Sequence, residues 1–301
     1  MSVSPDTAVQ ATGDSAADHA RSAVTWLFVP GDRPERFPKA AGSGADAVIL
    51  DLEDAVAPEA KERARGSVTE YLRAGHPAYV RINGEGTAYH AADLAALAGV
   101  GEALRGVMVP KSEQVTTFER VAGVLPAGAV AIPLIETAAG IHSAYELAAA
   151  PRVTRLTFGS ADLMLQTGIG DEPRGLLLAR STLVLASRTA GLEGPIDGIT
   201  TNLDDAAVSQ HDAEDGRRLG FGGKLCIHPR QVAPVLQGFA PSADEATWAN
   251  QVLEAVAQAH GRAVRFEGQM VDKPLLERAQ RIDTRHHAIE LLLAELNGVQ
   301  E

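Results

Sequence analysis

The feature that most limits how this chain can fold is a rhythm. From Val24 onward, short apolar runs rich in β-branched residues alternate with stretches of helical periodicity. A parallel strand can be reached only by a crossover, usually a helix, so this alternation is the signature of βαβ units and a parallel sheet. Eight runs read as strands: Thr25 to Val29, Ala47 to Leu52, Ala78 to Ile82, Gly106 to Val109, Val130 to Ile135, Val153 to Phe158, Ile196 to Ile199 and Lys224 to Ile227. Eight is the number that closes a barrel, and the expected fold class is therefore α/β, a (β/α)8 TIM barrel. An open doubly wound sheet is the competing architecture.

Between the strands, Pro58 and Pro173 mark helix starts. Leu176, Ala179, Leu183, Ala186 and Ala190 step by three and four residues before Gly191 stops the run. Two further helical stretches, Asp244 to Ala259 and Pro274 to Leu296, follow the last strand and flank a connector from Gly261 to Lys273, more chain than eight repeats need. The expected organisation is a disordered tail over 1–22, a barrel over 23–240 and a C-terminal helical extension over 241–301. The tail is assigned by composition: it is rich in Ala, Ser, Asp and Thr, and has neither an apolar segment nor an early basic cluster.

A formal net charge of −12 argues against a nucleic-acid surface, which needs a basic stripe to replace counterions around phosphates. Any anionic ligand must then be met by local cations. Cys226 is the only cysteine, which rules out an intrachain disulfide and a cysteine-rich zinc site and fits a reducing, cytoplasmic compartment. No run of about 18 apolar residues is present, so no membrane-spanning helix is expected.

Polar residues gather just past the strand ends: Asp51, Glu53 and Asp54 at the second, Arg81 and Asn83 at the third, Lys111 at the fourth, Glu136 at the fifth, Asp162 at the sixth and His228 at the eighth. In a parallel barrel these ends share one face, so residues far apart in sequence converge there. Glu136 and Asp162 thereby become neighbours. Two carboxylates with open positions suit Mg²⁺, which keeps waters and takes further oxygens from a substrate. The other reading is that each carboxylate caps a following helix. Arg81, at the end of an apolar strand, either forks a substrate carboxylate or pairs with Asp51 or Glu53, and its five donors allow both. Lys111 is an anion contact or the partner of a loop acid. Arg33, Arg36 and Lys39 follow the first strand as a cation cluster for phosphates or as a solvated helix start. Phe28 reads as core or as a stacking surface, and His228, before Pro229, as a hydrogen-bonded structural histidine.

At these positions the sequence resembles the citrate lyase β-subunit-like branch of the HpcH/HpaI aldolase family. The matching stretches are Leu27-Phe-Val-Pro-Gly31, Leu50-Asp-Leu-Glu-Asp-Ala-Val56, Val80-Arg-Ile-Asn83, Val109-Pro-Lys111, Ile135-Glu-Thr137, Phe158-Gly-Ser-Ala-Asp162, Gly220-Phe-Gly-Gly-Lys224, Ile227-His-Pro-Arg-Gln231 and Met270-Val-Asp-Lys-Pro274. Their order covers nearly the whole chain after Arg21. The resemblance implies a Mg²⁺-dependent carbon-carbon lyase acting between an acyl-CoA and an α-keto acid, on a thioester of the malyl-CoA, citramalyl-CoA or citryl type. It implies Glu136 and Asp162 as metal ligands and Arg81 and Glu136 as substrate contacts. Phe28 joins the substrate contacts, Lys39 with Arg36 or Arg33 becomes a candidate CoA contact, and Asp51, Glu53 and Lys111 support the site from behind. Asp272 takes the acid/base role from a neighbouring subunit, so the extension would pack on that neighbour in a homo-oligomer, a trimer by resemblance. A CoA-independent pyruvate aldolase, an acyl-CoA thioesterase and a non-catalytic subunit of a lyase complex are the alternatives.

Overall fold

The computed structural model describes residues 15–170, 173–259, 264–266 and 269–299. Eight parallel strands close on themselves in chain order: β1 (Thr25–Pro30), β2 (Ala47–Asp51), β3 (Ala78–Arg81), β4 (Leu104–Val109), β5 (Val130–Ile135), β6 (Thr157–Phe158), β7 (Ile196–Asp197) and β8 (Gly223–Cys226). Closure is carried by β1, where Trp26 lies opposite Ala47 of β2 on one side and Leu225 of β8 on the other. A doubly wound sheet would leave two edges, so that competitor is excluded. The expected strands are all present, but the sixth and seventh are only two residues long. The run from Val153 contains Arg155, whose buried guanidinium donates to the backbone oxygens of Ala23 and Gly194, and Val153 itself makes only an isolated bridge to Ala131.

Successive side chains of a strand point to opposite faces, and the two faces build two separate cores. Trp26, Ile49, Tyr79, Met108, Ile132, Leu134 and Leu225 fill the barrel interior. Their neighbours Leu27, Leu50, Val80, Val107, Ala131, Ile135 and Cys226 face the helical layer. Continued by two residues, the interior parity reaches Phe28, Asp51, Arg81 and Glu136 at the strand ends. Placement of these groups at the barrel mouth is thus a consequence of the alternation that fills the barrel below them.

The segment expected to be a disordered tail over 1–22 is corrected for its last part. Ala16–Ser22 is a helix, started by Ser15, whose side chain accepts from the Asp18 N–H, and Ala20 is fully buried. Ala16, Ala17, Ala20 and Ala23 pack against the barrel interior from below, and His19 Nδ1 lies 2.9 Å from the Tyr79 hydroxyl. Composition misled here because small alanines look too weakly apolar to dock, whereas Ala16, Ala17, Ala20 and Ala23 all pack against residues of the barrel interior. Residues 1–14 lie outside the described residues.

Beyond β8, helices Ala243–Gln258 and Lys273–Val299 form the extension, within a few residues of the expected bounds. Ser242 and Glu245 start the first as a reciprocal capping box. The connector holds a small antiparallel pair, β9 (Arg265–Phe266) with β10 (Gln269–Met270); 260–263 and 267–268, which include Gly261 and Glu267, lie outside the described residues. The long helix returns to its own barrel, burying Ile289 and Leu296 in the outer core. Among the described residues, no helix is long and apolar enough to cross a membrane.

Candidate active site

The register of β2 and β3 sets Asp51 directly opposite Arg81. Arg81 Nε and Nη2 donate to Asp51 Oδ1 and Oδ2, both at 2.7 Å, a fork that only a guanidinium makes. Its remaining edge, Nη1, lies 3.2 Å from Glu53 Oε2 and 3.5 Å from Asp54 Oδ2. The guanidinium stacks 4.7 Å from the Phe28 ring centroid, so half-buried Phe28 is a platform for Arg81. The ion pair considered for Arg81 is therefore formed, and Nη1 is the edge turned toward the acids of the mouth.

Asp51 also winds the following loop around itself by accepting from the N–H groups of Glu53 and Ala55 at 2.9 and 3.0 Å. Buried Lys61 donates to the backbone oxygens of Leu52 and Glu53, at 2.8 and 2.7 Å, and so holds the loop that presents Glu53. Asn83, at the next strand end, donates to Leu52 O and Asp93 and is structural.

Glu136 is almost fully buried at the end of β5. Its Oε1 accepts the backbone N–H of Lys111 at 2.8 Å, while Lys111 Nζ reaches Glu53 Oε1 at 3.0 Å and Glu136 Oε1 at 3.7 Å. Lys111 is thus the partner of a loop acid, Glu53, one of the two readings considered for it. Gly159 is required beside Glu136: a Cβ there would overlap Glu136 Cβ and lie 2.7 Å from Oε2. Asp162 stands in the first turn of helix Ser160–Thr167, where the N-terminal dipole favours a carboxylate. The cap of that helix is Gly159 with no side-chain cap hydrogen bond, so the capping reading of Asp162 is not realised.

Burial raises the Glu136 carboxyl to about 8, helped by the negative charges of Glu53 and Asp162 and opposed by Lys111. Burial likewise raises Glu53 against the pull of Arg81. Glu53 Oε2 is buried without a hydrogen bond, its distance to Arg81 Nη1 notwithstanding. The mouth therefore carries more acid than its lysine and arginine neutralise, and an added cation fits. Among the described residues no cluster of three or more metal-ligating side chains occurs. A pair, Glu136 and Asp162, is the donor set expected for Mg²⁺, which leaves positions for water and substrate oxygens.

Around the rim, Arg33, Arg36 and Lys39 are all exposed on the turn Pro34–Arg36 and helix Phe37–Ala41, which is anchored by buried Phe37 and Ala40. None of the three has an ion pair among the described residues. Lys39 lies close enough to His228 to help burial and Arg230 hold that imidazole below its ordinary range. His228 Nδ1 accepts from the Arg230 N–H at 3.1 Å and caps the turn Pro229–Gln231, as the structural reading required. Asp272, among the described residues, has no hydrogen bond or ion pair with Glu136, Asp162 or Arg81. It is exposed, and its Oδ1 accepts the Leu275 N–H at 3.0 Å at the start of the last long helix.

Sequence reasoning missed Lys61 and Gly159. Lys61 follows Glu53 by eight positions at a helix start and looked like a surface lysine; Gly159, between a strand and Ser-Ala-Asp, carried the only usable signal.

Over residues 24–229 the chain matches the family model described as HpcH/HpaI aldolase/citrate lyase. The chain belongs to this family. A citrate lyase subunit beta-like protein of Mycobacterium tuberculosis is 39% identical over 262 residues, covering 85% of this chain and 92% of its own length. A (3S)-malyl-CoA thioesterase of Cereibacter sphaeroides is 34% identical over 275 residues, covering 87% and 94%. Among solved structures, protein CitE from Mycobacterium tuberculosis in complex with magnesium, acetoacetate and coenzyme A aligns at a TM-score of 0.76 and 38% identity, over 89% of this chain and 99% of that one. Membership in the HpcH/HpaI aldolase/citrate lyase family makes this chain an enzyme of the aldolase and lyase class.

Proposed function

We propose that the chain is a Mg²⁺-dependent lyase that cleaves or forms the carbon-carbon bond between an acyl-CoA and an α-keto acid. The observation that carries this reading is the Glu136–Asp162 pair beside Arg81 in a mouth with an uncompensated excess of acid. Glu136 and Asp162 would hold the ion; when bound, Mg²⁺ supplies Lewis-acid polarisation of the α-oxygen of a keto or hydroxy acid. The complex of CitE with magnesium, acetoacetate and coenzyme A supports both the metal and the thioester partner.

Arg81, fixed by Asp51 and Phe28, turns Nη1 toward charge that develops on the substrate oxygen. Phe28 contributes through that arginine. Arg33, Arg36 and Lys39 meet the phosphates of CoA, for which an acidic protein must provide local cations. Asp272 serves as acid/base: in condensation it removes the α-proton of the acyl-CoA, the enolate carbon bonds to the keto carbon and the resulting alkoxide takes a proton from solvent; in cleavage the hydroxyl proton leaves to solvent, the carbon-carbon bond breaks and Asp272 returns a proton to the thioester enolate. Exposed Asp272 has no described interaction with Glu136, Asp162 or Arg81 of its own chain, which supports its delivery to the mouth of a neighbouring copy in a homo-oligomer.

A second reading has a specific observation behind it. The relationship to a (3S)-malyl-CoA thioesterase supports hydrolysis of the thioester on the same scaffold, with water in place of the carbon-carbon cleavage step. Incubation with Mg²⁺ and a panel of malyl-CoA, citramalyl-CoA and citryl-CoA, followed by mass spectrometry, separates the two. Equimolar acyl-CoA and α-keto acid supports the lyase, and free CoA with intact hydroxy acid supports the thioesterase. Turnover that persists without a divalent cation, or in both Glu136→Ala and Asp162→Ala, overturns the metal assignment.

A further inference from the structure

Beside Glu136 and Asp162, the two carboxylates assigned to the ion, stands a third, Glu53. Glu53 is close enough to raise the Glu136 carboxyl and is nearly as buried, so its exclusion from the donor set needs a cause. Resting on the metal reading above, we propose that Lys111 is a positioning residue that keeps Glu53 from becoming a third metal ligand and selects which oxygen of Glu136 faces the ion.

The backbone carries the first half of the case. Lys111 has φ +50, a left-handed conformation that a residue with a β-carbon seldom adopts. The turn around it is fastened independently: Ser112 donates its N–H to Leu134 O at 3.2 Å and its hydroxyl to Val109 O at 2.7 Å. A lysine needed only as a counter-ion has no use for this conformation, since its long stem reaches a carboxylate from ordinary backbone. The turn aims the Lys111 N–H at Glu136 Oε1, and the ammonium of the same residue approaches that same oxygen. Oε1 is thereby occupied. Oε2 lies on the side of Gly159, the residue that leads into the helix bearing Asp162. The oxygen that Lys111 does not engage thus faces the segment that leads into the Asp162 helix.

The ammonium carries the second half. Lys111 Nζ takes Glu53 Oε1 at 3.0 Å, and Arg81 Nη1 stands 3.2 Å from Glu53 Oε2. Each oxygen of Glu53 faces a cation belonging to the protein. A third carboxylate on the ion would fill one octahedral position and add negative charge where an oxyacid has to chelate. Holding Glu53 aside weakens metal binding and keeps two adjacent positions open to the substrate.

The test uses Mn²⁺ as the probe ion, with water-proton relaxation counting its bound waters and calorimetry giving its dissociation constant, both without substrate. Lys111→Gly removes the ammonium and keeps the N–H in a conformation that glycine favours; Lys111→Asn, also tolerant of that conformation, is the second variant if the first fails to fold. The bound-water count should fall by one in either variant and Mn²⁺ affinity should rise about tenfold. Adding Glu53→Gln should restore the wild-type count, whereas Glu53→Gln alone should shift affinity by no more than about twofold, a coupling read by the double-mutant cycle. Pyruvate binding to the Mn²⁺-loaded variant should weaken. An unchanged water count, or a fall that survives Glu53→Gln, overturns the proposal. If the wild-type chain binds Mn²⁺ but Glu136→Ala and Asp162→Ala bind it equally well, the metal reading has failed, and this inference fails with it.

Discussion

Arg81 and Asp51 are joined by two parallel bonds of 2.7 Å across adjacent strand ends, in a pair where Asp51 is 1% exposed. Because register places the two residues opposite each other, the fork is fixed by the sheet and not by a loop. Lysine offers a point charge and cannot serve both oxygens of Asp51 while also addressing Glu53. Arg81→Lys should lower kcat/KM by at least tenfold, about 1.4 kcal/mol or more in transition-state stabilisation. Asp51→Asn, which leaves a buried guanidinium short of its charge partner, should cost about 3–5 kcal/mol of folding stability. Steady-state kinetics and denaturant melts check both; wild-type kinetics in Arg81→Lys would show that Arg81 serves the fold alone.

Gly159→Ala tests how closely the metal pair is packed. The added methyl would overlap Glu136 Cβ and crowd Oε2, and Glu136 cannot retreat because its Oε1 is tied to the Lys111 N–H. Metal affinity should drop by about tenfold or more, while overpacking should cost about 1–3 kcal/mol of stability and leave the chain folded. Calorimetric titration with Mg²⁺ beside a thermal melt checks this. Unchanged affinity would mean that Glu136 is not a ligand through the oxygen facing Gly159.

The barrel was legible because its interior depends on an alternation written in the sequence: Ile49, Asp51, Tyr79 and Arg81 share a parity that any two-residue period exposes. The convergence of Glu136 and Asp162 followed from strand order alone. What stayed hidden depends on single side chains or on small ones. Lys61 reads as a surface lysine until the Leu52 and Glu53 carbonyls are seen around it. Ala16–Ser22 reads as tail because alanines carry little hydrophobic signal, and only their packing against the barrel interior shows the helix docked. The part proposed for Asp272 rests on resemblance alone, since its own chain uses it as a helix cap.

The base of the barrel offers a stability test. Arg155 is fully buried, donates to Ala20 O at 3.1 Å and Gly194 O at 2.9 Å, and is held by desolvation at about 10, below the ordinary guanidinium range. It ties helix Ala16–Ser22 to the barrel through carbonyls, and among the described residues no carboxylate forms an ion pair with it. Arg155→Met should strand those oxygens and lower stability by several kcal/mol, with part of the loss shared by a deletion of residues 1–22. The two changes should be less than additive in melts because they remove the same contacts. Full additivity would place the effect of Arg155 elsewhere.

The pH response of the metal-free protein follows from Glu136, whose carboxyl is raised from 4.5 to about 8 by burial and by Glu53 and Asp162. A raised value means that the folded chain keeps a proton which the unfolded chain releases near 4.5. The stabilising contribution is therefore complete below about 4.5 and is lost as pH rises through about 8. Metal-free Tm should decline across that window, and the component should vanish in Glu136→Gln. Mg²⁺ needs the ionised carboxylate, so its affinity should rise with pH up to about 8, with nearly one proton released per ion bound below it. Calorimetry in two buffers of different ionisation enthalpy measures that proton; zero release at pH 6.5 would contradict the raised value.

The neighbouring-subunit role proposed for Asp272 can be separated from a role within one chain by mixing. Glu136→Gln lacks a metal ligand and Asp272→Asn lacks the acid/base, so each alone should be nearly inactive. In the proposed shared site one copy supplies Glu136, buried at the barrel mouth, and another supplies Asp272, exposed at the start of the last helix. When the two variants are co-expressed in equal amounts, random pairing in a closed ring puts an intact Glu136 opposite an intact Asp272 in about a quarter of sites. Activity should return to about that fraction of wild type, whatever the number of subunits in the ring. If each site were built from a single chain, every site in the mixture would carry one lesion and no activity would return.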